Sequence, residues 1–315
     1  MKYNVGIDIG GMSIKVGIVN TEGEIVAKQK FVTSKDCYLS TKQMAKTIND
    51  LFDSINISEK DISGIGIGCP GAISSKKGIV ENWTNLNWTN FNLVDELKKY
   101  FNTEIYLEND ANVAILGEVM FGCAKGYNDA VMLTLGTGVG GGIIADGKLF
   151  TGGEGKGAEL GHILLIKDGL PCTCGRKGCL ECYASATALM NQTKEAMLQD
   201  KNSLMWKEVD GDINKVLGNV PFDCVKKGDK SAMKVVDNYV AYLSEGVLTL
   251  LNIFRPEAVI IGGGVSGVGE YLTTRIDEYC KERFYGMDKT PIPKFLIATL
   301  GNDAGIIGAS CLAMK

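Results

Sequence analysis

The residues best suited to chemistry are one histidine and a group of cysteines that follows it closely. His162 is the only histidine of the chain, and it precedes the run CTCGRKGC, residues 172–179. Three thiols and one imidazole make a tetrahedral Cys3His ligand set for zinc, and the glycines of C-x-C-G-x-x-G-C allow the backbone to fold around the ion. The zinc ligands that this spacing predicts are His162, Cys172, Cys174 and Cys179.

Four protein ligands leave zinc no open position, so this metal is predicted to be structural. Cys182 is the fourth thiol of the region and is expected to pack nearby. Glu159 lies three residues before His162, and Glu181 lies two residues after Cys179. A metal at this point would fix both carboxylates as acceptors for hydroxyl groups, which suits a polyol ligand such as a sugar.

Two strand–turn–strand patterns suggest a second kind of chemistry. The stretch NVGIDIGGMSIKVGIV begins at residue 4, and AVMLTLGTGVGGGIIADGKLF covers residues 130–150. Each pattern has a glycine-rich turn with one hydroxyl residue, and such a turn exposes consecutive backbone N–H groups to an anion. A single turn of this kind is compatible with an ordinary tight hairpin, but two turns favour a polyphosphate held from both sides. The predicted phosphate-binding residues are Gly10, Gly11, Ser13, Gly136, Thr137, Gly138 and Gly140.

Asp8 ends the first of these strands, next to the predicted phosphates. A carboxylate there is well placed to hold Mg²⁺ directly or through water. Lys15 follows two residues after Ser13, and its side chain is predicted either to approach the phosphates or to face solvent.

Two familiar nucleotide motifs do not account for these glycines. Residues 136–141 match G-x-G-x-x-G, but the dinucleotide fold requires a helix after the glycines, and this sequence continues as a strand and hairpin. No G-x-x-x-x-G-K-[ST] sequence occurs in the chain, which excludes a P-loop.

Two further segments join a strand to a helix. AVIIGGGVS, residues 258–266, lets the backbone approach a flat ring, so Gly262, Gly263 and Gly264 are predicted near adenine and ribose. In the other segment the strand 105–107 leads into Glu108, Asn109 and Asp110 at the start of a helix. Asn and Asp are good N-caps, but capping requires only one of them.

Composition limits the classes of protein to consider. A chain of 315 residues favours two domains. Its net charge of −4 gives no basic surface for a nucleic-acid partner, including a zinc-knuckle module. Neither a signal sequence nor an 18-residue apolar run is present, so we expect a cytoplasmic protein without a membrane partner.

The motifs together resemble one known family along the whole chain. DIGGMSIK, CPGAI, ENDANVAILGE, LGTGVGGGI, GAELGH, CTCGRKGCLE, VIIGGGVS and GNDAGIIGAS are similar to the ROK family (repressors, open reading frames, kinases), particularly its bacterial glucokinase branch. The resemblance implies the actin-like ATPase (RNase H-like) fold, with two α/β domains around a nucleotide and sugar cleft. The expected domains are a smaller one, 1–117 plus 301–315, and a larger one, 118–300, that contains the zinc knuckle.

The same resemblance implies an ATP-dependent kinase acting on the 6-hydroxyl of a hexose, with glucose favoured. N-acetylmannosamine, N-acetylglucosamine, another hexose or a β-glucoside remain alternatives. Asp110 would be the general base. The residues implied in sugar contact are Gly71, Asn109, Asp110, Glu159, His162 and Glu181.

Two positions depart from the family pattern. Ser13 replaces the usual Thr and keeps its hydroxyl. Thr84 replaces Pro in a Pro-Asn-Leu run followed by Trp, although Asn85, Leu86 and Trp88 fit that pattern.

A non-catalytic sugar-binding regulator is the alternative from another class. Repressor members carry a winged helix-turn-helix before the first phosphate motif, and the position of Asp8 leads us to expect none here. Family members are often homodimers or homotetramers, and the apolar stretch 231–254 is predicted to form a long helix that is buried or packs across a dimer.

Overall fold

The computed structural model describes residues 3–83, 86–286 and 291–314, so Thr84 and Asn85 lie outside the described residues. The strands are β1 (Tyr3–Ile9), β2 (Ser13–Asn20), β3 (Ile25–Val32), β4 (Ile62–Cys69), β5 (Ala72–Ser74), β6 (Ile79–Trp83), β7 (Trp88–Asn92), β8 (Ile105–Asn109), β9 (Ala130–Leu135), β10 (Val139–Ala145), β11 (Lys148–Leu149), β12 (Ala258–Gly262) and β13 (Lys294–Ile297).

The α-helices are α1 (Cys37–Ser54), α2 (Leu93–Leu97), α3 (Asp110–Met120), α4 (Glu181–Ala184), α5 (Ala186–Gln199), α6 (Leu204–Glu208), α7 (Val220–Lys226), α8 (Lys230–Phe254), α9 (Glu270–Lys281) and α10 (Ala304–Cys311). Short 3-10 turns cover Glu59–Asp61, Gly153–Gly155, Leu160–His162, Ile213–Lys215, Gly264–Val268 and Gly301–Asp303.

The first five-stranded sheet has the order β3-β2-β1-β4-β8. β1, β2 and β3 pair antiparallel through tight turns, whereas β4 and β8 continue the sheet in parallel with β1. β4 reads ISGIGIGC, an almost wholly buried strand, as expected of a central parallel strand covered on both faces. The order brings the ends of β1 and β8, and therefore Asp8 and Asn109, to the same edge of the sheet.

The second five-stranded sheet repeats this order with later strands, as β11-β10-β9-β12-β13. If the strands of each sheet are numbered 1 to 5 along the chain, both sheets have the spatial order 3-2-1-4-5. Residues 139–145 form a strand directly after the glycine-rich turn, which confirms that no dinucleotide-type helix follows these glycines. The predicted duplication of the strand–turn–strand unit is therefore confirmed.

Helix α10 packs closely on the first sheet and on α3. A Cβ atom on Gly66 would lie 1.8 Å from the Ala309 carbonyl oxygen, and one on Gly308 would lie 1.7 Å from the Val113 carbonyl oxygen. Glycine is required at both positions because backbone approaches backbone there. The contacts fix α3, whose first residue is Asp110.

The chain divides into two compact units. One unit comprises Met1–Asn128, Gly142–Ala158 and Thr299–Lys315, and the other comprises Asp129–Gly141 and Glu159–Ala298. The expected domain boundaries stay a prediction; residues 118–128, 142–158 and 299–300 belong to the first of these compact units. Within it Glu118, at the end of α3, accepts hydrogen bonds from Leu300 N and the Thr299 hydroxyl.

The long helix predicted from the apolar stretch 231–254 is present as α8, with twelve buried residues. Asp229 caps its N-terminus by accepting a hydrogen bond from Ala232 N at 2.8 Å. In the described part of the chain no helix combines the length and apolarity needed to span a membrane.

Candidate active site and metal centre

The segment Glu108–Asn112 forms the junction between strand β8 and helix α3. Asn109 is the N-cap, since its Oδ1 accepts hydrogen bonds from Ala111 N at 2.9 Å and Asn112 N at 3.4 Å. Asp110 starts the helix, and its Oδ1 accepts a second bond from Ala111 N at 2.9 Å. Capping therefore accounts for Asn109, while the Asp110 carboxylate lies at the positive end of the helix dipole.

Sequence reasoning assigned no role to Glu108, although it lies beside the predicted base. Its side chain is only 5% exposed. The carboxylate accepts three hydrogen bonds, from Asn109 N at 2.8 Å, the Asn112 side-chain amide at 3.0 Å and the Ser75 hydroxyl at 2.9 Å. The signal in the sequence that could have pointed to it is an acidic residue at the end of an apolar strand, two positions before Asp110.

Gly71 lies at the turn between β4 and β5. Its φ of +91° and the 2.7 Å between its ideal Cβ position and the Asn82 carbonyl oxygen require glycine here. Its sugar contact stays a prediction, because backbone geometry alone accounts for the residue type.

Cys69 ends β4 and pairs in register with Asn109. Burial, and secondarily the negative charge of Asp110, raise the pKa of the Cys69 thiol well above its usual range. The thiol is therefore neutral at physiological pH and is not a nucleophile.

The first glycine-rich turn joins β1 to β2. Asp8 and Lys15 are paired in the strand register, and Lys15 Nζ donates to Asp8 Oδ2 at 2.9 Å and to the Asn302 carbonyl at 3.0 Å. Lys15 thus contacts the predicted magnesium ligand. The tip is open, since nothing lies within 4 Å of an ideal Cβ on Gly11 and Met12 is 88% exposed.

Thr33, which the sequence did not single out, lies directly after β3 and holds this turn. Its hydroxyl donates to the Gly10 carbonyl at 2.6 Å, and its amide donates to the Met12 carbonyl at 3.2 Å. Ser13 begins β2 and is half-buried. The Gly10 and Met12 carbonyls are therefore used, and so is the Gly10 amide, which donates to the Ser13 carbonyl at 3.1 Å.

The second glycine-rich turn joins β9 to β10 and is held by the start of α5. Ala186 N donates to the Gly136 carbonyl at 2.9 Å, and the Thr187 hydroxyl donates to the Thr137 carbonyl at 2.8 Å. Gly136 has open space at its ideal Cβ position. Gly140 is half-buried within β10.

The third glycine cluster follows β12. An ideal Cβ on Gly262 would meet the Met132 side chain at 2.6 Å, and one on Gly263 would meet the Leu135 backbone at 2.6 Å. Gly264 has nothing within 4 Å. Packing explains the first two glycines, and Gly264 is the one that leaves room for a ligand.

The predicted zinc ligands lie together, and the ligand atoms of His162, Cys172, Cys174 and Cys179 are all within 4.8 Å of one another. Cys172 Sγ is 3.6 Å from His162 Nδ1, and Cys174 Sγ is 3.6 Å from Cys179 Sγ. A tetrahedral zinc with ordinary bond lengths would separate sulfur from nitrogen by about 3.6 Å and sulfur from sulfur by about 3.8 Å. The donor set and these spacings fit zinc.

The thiols of this cluster differ in acidity. A hydrogen bond from the Arg176 backbone lowers the pKa of Cys174, whereas burial raises the pKa of Cys179 to about 12. Cys182 donates to the Pro171 carbonyl at 3.5 Å. Cys182 is outside the four-ligand cluster.

The two carboxylates near the cluster are held differently. Glu181 Oε2 accepts a hydrogen bond from Val139 N at 3.0 Å, and Glu181 Oε1 lies 3.8 Å from Cys172 Sγ. Glu159 precedes the turn Leu160–His162, and its carbonyl accepts a hydrogen bond from His162 N at 3.0 Å. Glu181 thus contacts both the metal-ligand cluster and the second glycine-rich turn.

Two sheets of identical strand order, each with a glycine-rich turn between its first two strands, define the actin-like ATPase fold. The chain belongs to the ROK family, whose family profile matches residues 4–315.

Individual relatives agree with this assignment over nearly the full length. The chain is 37% identical to a glucokinase of Halalkalibacterium halodurans, covering 100% of this chain and 96% of that protein. A ROK family glucokinase from Streptomyces griseus, solved in complex with glucose and AMPPNP, is 32% identical with a TM-score of 0.83 over 98% of both chains. A xylose repressor of Caldicellulosiruptor bescii is 32% identical over 98% of this chain and 77% of the repressor.

Proposed function

We propose that this protein is an ATP-dependent sugar kinase that phosphorylates the 6-hydroxyl of a hexose, with glucose as the substrate. The observation that carries the proposal is the full-length similarity to a glucokinase solved with glucose and AMPPNP. The roles proposed below are assigned to residues described above.

Asp110 is the proposed general base. Phosphoryl transfer asks the protein mainly for positioning and charge stabilisation. The sugar hydroxyl oxygen attacks the γ-phosphorus, its proton passes to the Asp110 carboxylate, and the bond to the β,γ-bridging oxygen breaks to release ADP. Proton removal of this kind typically contributes about 10²–10⁴-fold. The bond from Ala111 N to Asp110 Oδ1 limits rotation of the carboxylate.

The proposed sugar contacts combine acceptors and donors. Asn109 uses its Oδ1 for capping, so its contact with a sugar hydroxyl would use the Nδ2 donor. The remaining proposed contacts are Gly71, Glu159, His162 and Glu181.

The nucleotide is proposed to bind through backbone N–H groups of both glycine-rich turns, with adenosine near Gly264. Mg²⁺ accompanying ATP would be held by Asp8 directly or through water, and it neutralises phosphate charge. The Asp8–Lys15 ion pair means that Lys15 must share or release this carboxylate when the metal binds.

Zinc is proposed at the Cys3His cluster, where it would be structural. With four protein ligands it has no position for water. Its contribution would be to hold His162 and Glu181 in place. A ligand set that is also part of the sugar site makes metal and sugar binding interdependent.

A sugar-binding regulator without catalysis is the second candidate, favoured by the 32% identity to a xylose repressor. The two candidates differ in turnover. ADP release should be measured with Mg-ATP and, separately, glucose, mannose, fructose, N-acetylmannosamine, N-acetylglucosamine and cellobiose. Rapid ADP release with glucose supports the proposal, and release with another sugar only would change the substrate. Glucose binding without ADP release would favour the regulator.

A further inference from the structure

We propose that Glu108 is a positioning residue that serves two parts of the site with its two carboxylate oxygens. Oε1 holds the junction that carries Asn109 and Asp110, and Oε2 holds the strand after Gly71 through Ser75. This inference rests on the proposed kinase function. Glu108 itself touches no reacting atom in this mechanism.

Oε1 binds the junction on both sides of Asp110. It accepts from Asn109 N at 2.8 Å, one residue before Asp110, and from Asn112 Nδ2 at 3.0 Å, two residues after it. Because an ionised carboxylate only accepts, the Asn112 amide nitrogen must face it. Asn112 N in turn donates to Asn109 Oδ1, which closes a ring of hydrogen bonds around the start of α3.

Oε2 reaches a different element. It accepts from the Ser75 hydroxyl at 2.9 Å, directly after strand β5, and β5 follows the turn at Gly71. Gly155 lies against the same hydroxyl, since its ideal Cβ position is 3.4 Å from Ser75 Oγ. One side chain thereby connects the predicted base with the loop predicted to contact the sugar.

Burial indicates that these bonds matter. Among the described residues no Lys, Arg or His forms an ion pair with Glu108, so the three donors are what offset removal of its charge from water. An apolar residue would fill this space without the desolvation cost of a buried carboxylate. These hydrogen bonds depend on the length of the side chain and on its acceptor oxygens. Replacement by Gln and replacement by Asp should therefore have different effects on the site.

The test compares Glu108→Gln with Glu108→Asp. Gln keeps the length, can accept from Asn109 and Asn112 through its carbonyl oxygen and can donate to the Ser75 oxygen. Asp keeps the charge but is one methylene shorter. We expect Glu108→Gln to retain kcat within about threefold and Glu108→Asp to lose about 10- to 100-fold, because small misplacements of catalytic groups are costly.

Ser75→Ala tests the second oxygen. We expect it to raise the KM for glucose about three- to tenfold, as for one lost hydrogen bond, with kcat within about twofold. Asn112→Ala provides a second test of Oε1 if the Asp variant does not fold, and it should lower kcat about tenfold. Melting curves identify variants that have lost the fold.

Two kinetic patterns would overturn the proposal. If Glu108→Asp were active and Glu108→Gln inactive, the site would depend on the charge of Glu108 and not on the length of its side chain. Wild-type kinetics in both would remove Glu108 from any positioning role.

Calorimetric measurement of glucose binding distinguishes failure of the proposed kinase function from failure of the proposed positioning role. If the wild type binds glucose without releasing ADP, the kinase proposal fails. Glu108→Asp should then still bind glucose about tenfold more weakly than Glu108→Gln, because it displaces Asn109. Equal affinities would overturn the positioning role as well.

Discussion

The Glu181 carboxylate accepts a hydrogen bond from the Val139 backbone amide at 3.0 Å. These residues are 42 positions apart: Glu181 lies two residues after Cys179, and Val139 begins β10 directly after the second glycine-rich turn. An ideal Cβ on Gly138 would lie 2.1 Å from Glu181 Oε2, so the turn closes tightly over this side chain. The candidate metal centre and the candidate phosphate turn are therefore parts of one hydrogen-bonded arrangement.

Glu181→Ala should weaken ATP binding as well as sugar binding. The change leaves Val139 N without its acceptor, so we expect the KM for ATP to rise about tenfold, as for the loss of a hydrogen bond to a charged group. Steady-state kinetics at saturating glucose measures this effect. Glu195→Ala, an exposed carboxylate on α5, is the matched control. An unchanged KM for ATP would mean that Glu181 contributes to sugar binding only.

Asp110→Asn should abolish turnover while glucose still binds. The amide preserves size but cannot take the proton from the sugar hydroxyl, so kcat should fall at least about 100-fold. Calorimetry with glucose establishes that the site is intact. Near-normal kcat in this variant would exclude Asp110 as the base.

Cys174→Ala should lose zinc and weaken glucose binding, because His162 and Glu181 would no longer be anchored. Protein purified without chelator should contain one zinc per chain by elemental analysis. Cys182→Ala is the control and should keep the metal, since Cys182 lies outside the four-ligand cluster. Absence of zinc from the wild type would contradict the proposed metal centre.

Asp229→Ala should destabilise the protein by about 2 kcal/mol, because it removes a helix cap. Besides Ala232 N, its carboxylate accepts from the Ser203 hydroxyl at 2.8 Å and Leu204 N at 2.5 Å. Urea unfolding measures the change. Asp212→Ala, an exposed cap of a short turn, should cost under about 0.5 kcal/mol. Equal losses of unfolding free energy in the two variants would show that burial of Asp229 does not increase its contribution to stability.

This contribution should depend on pH in a defined direction. Burial alone would raise the pKa of Asp229, but the hydrogen bonds from Ala232, Ser203 and Leu204 outweigh it and lower the pKa. A carboxyl group whose pKa is lowered by folding stabilises the protein above its unfolded pKa. The difference between wild type and Asp229→Ala should therefore shrink as pH falls through the folded pKa.

Local sequence was sufficient for much of the fold. The alternation of strand and glycine-rich turn predicted β1–β2 and β9–β10, because strand pairing across a tight turn depends on neighbouring residues. The apolar pattern of residues 231–254 predicted α8 for the same reason. The resemblance to the ROK family, carried by motifs along the whole chain, is confirmed by the family profile.

What the sequence determined by itself was the set of chemical groups: a Cys3His cluster with close spacing, two glycine-rich turns and a carboxylate at a helix start. Only the tertiary structure decided the partners of those groups. Glu108 meets Ser75, Glu181 meets Val139, and Lys15 meets Asp8 and Asn302. A carboxylate looks the same in sequence whichever donor it meets, and the donor is selected by strand register and helix packing between residues far apart in the chain.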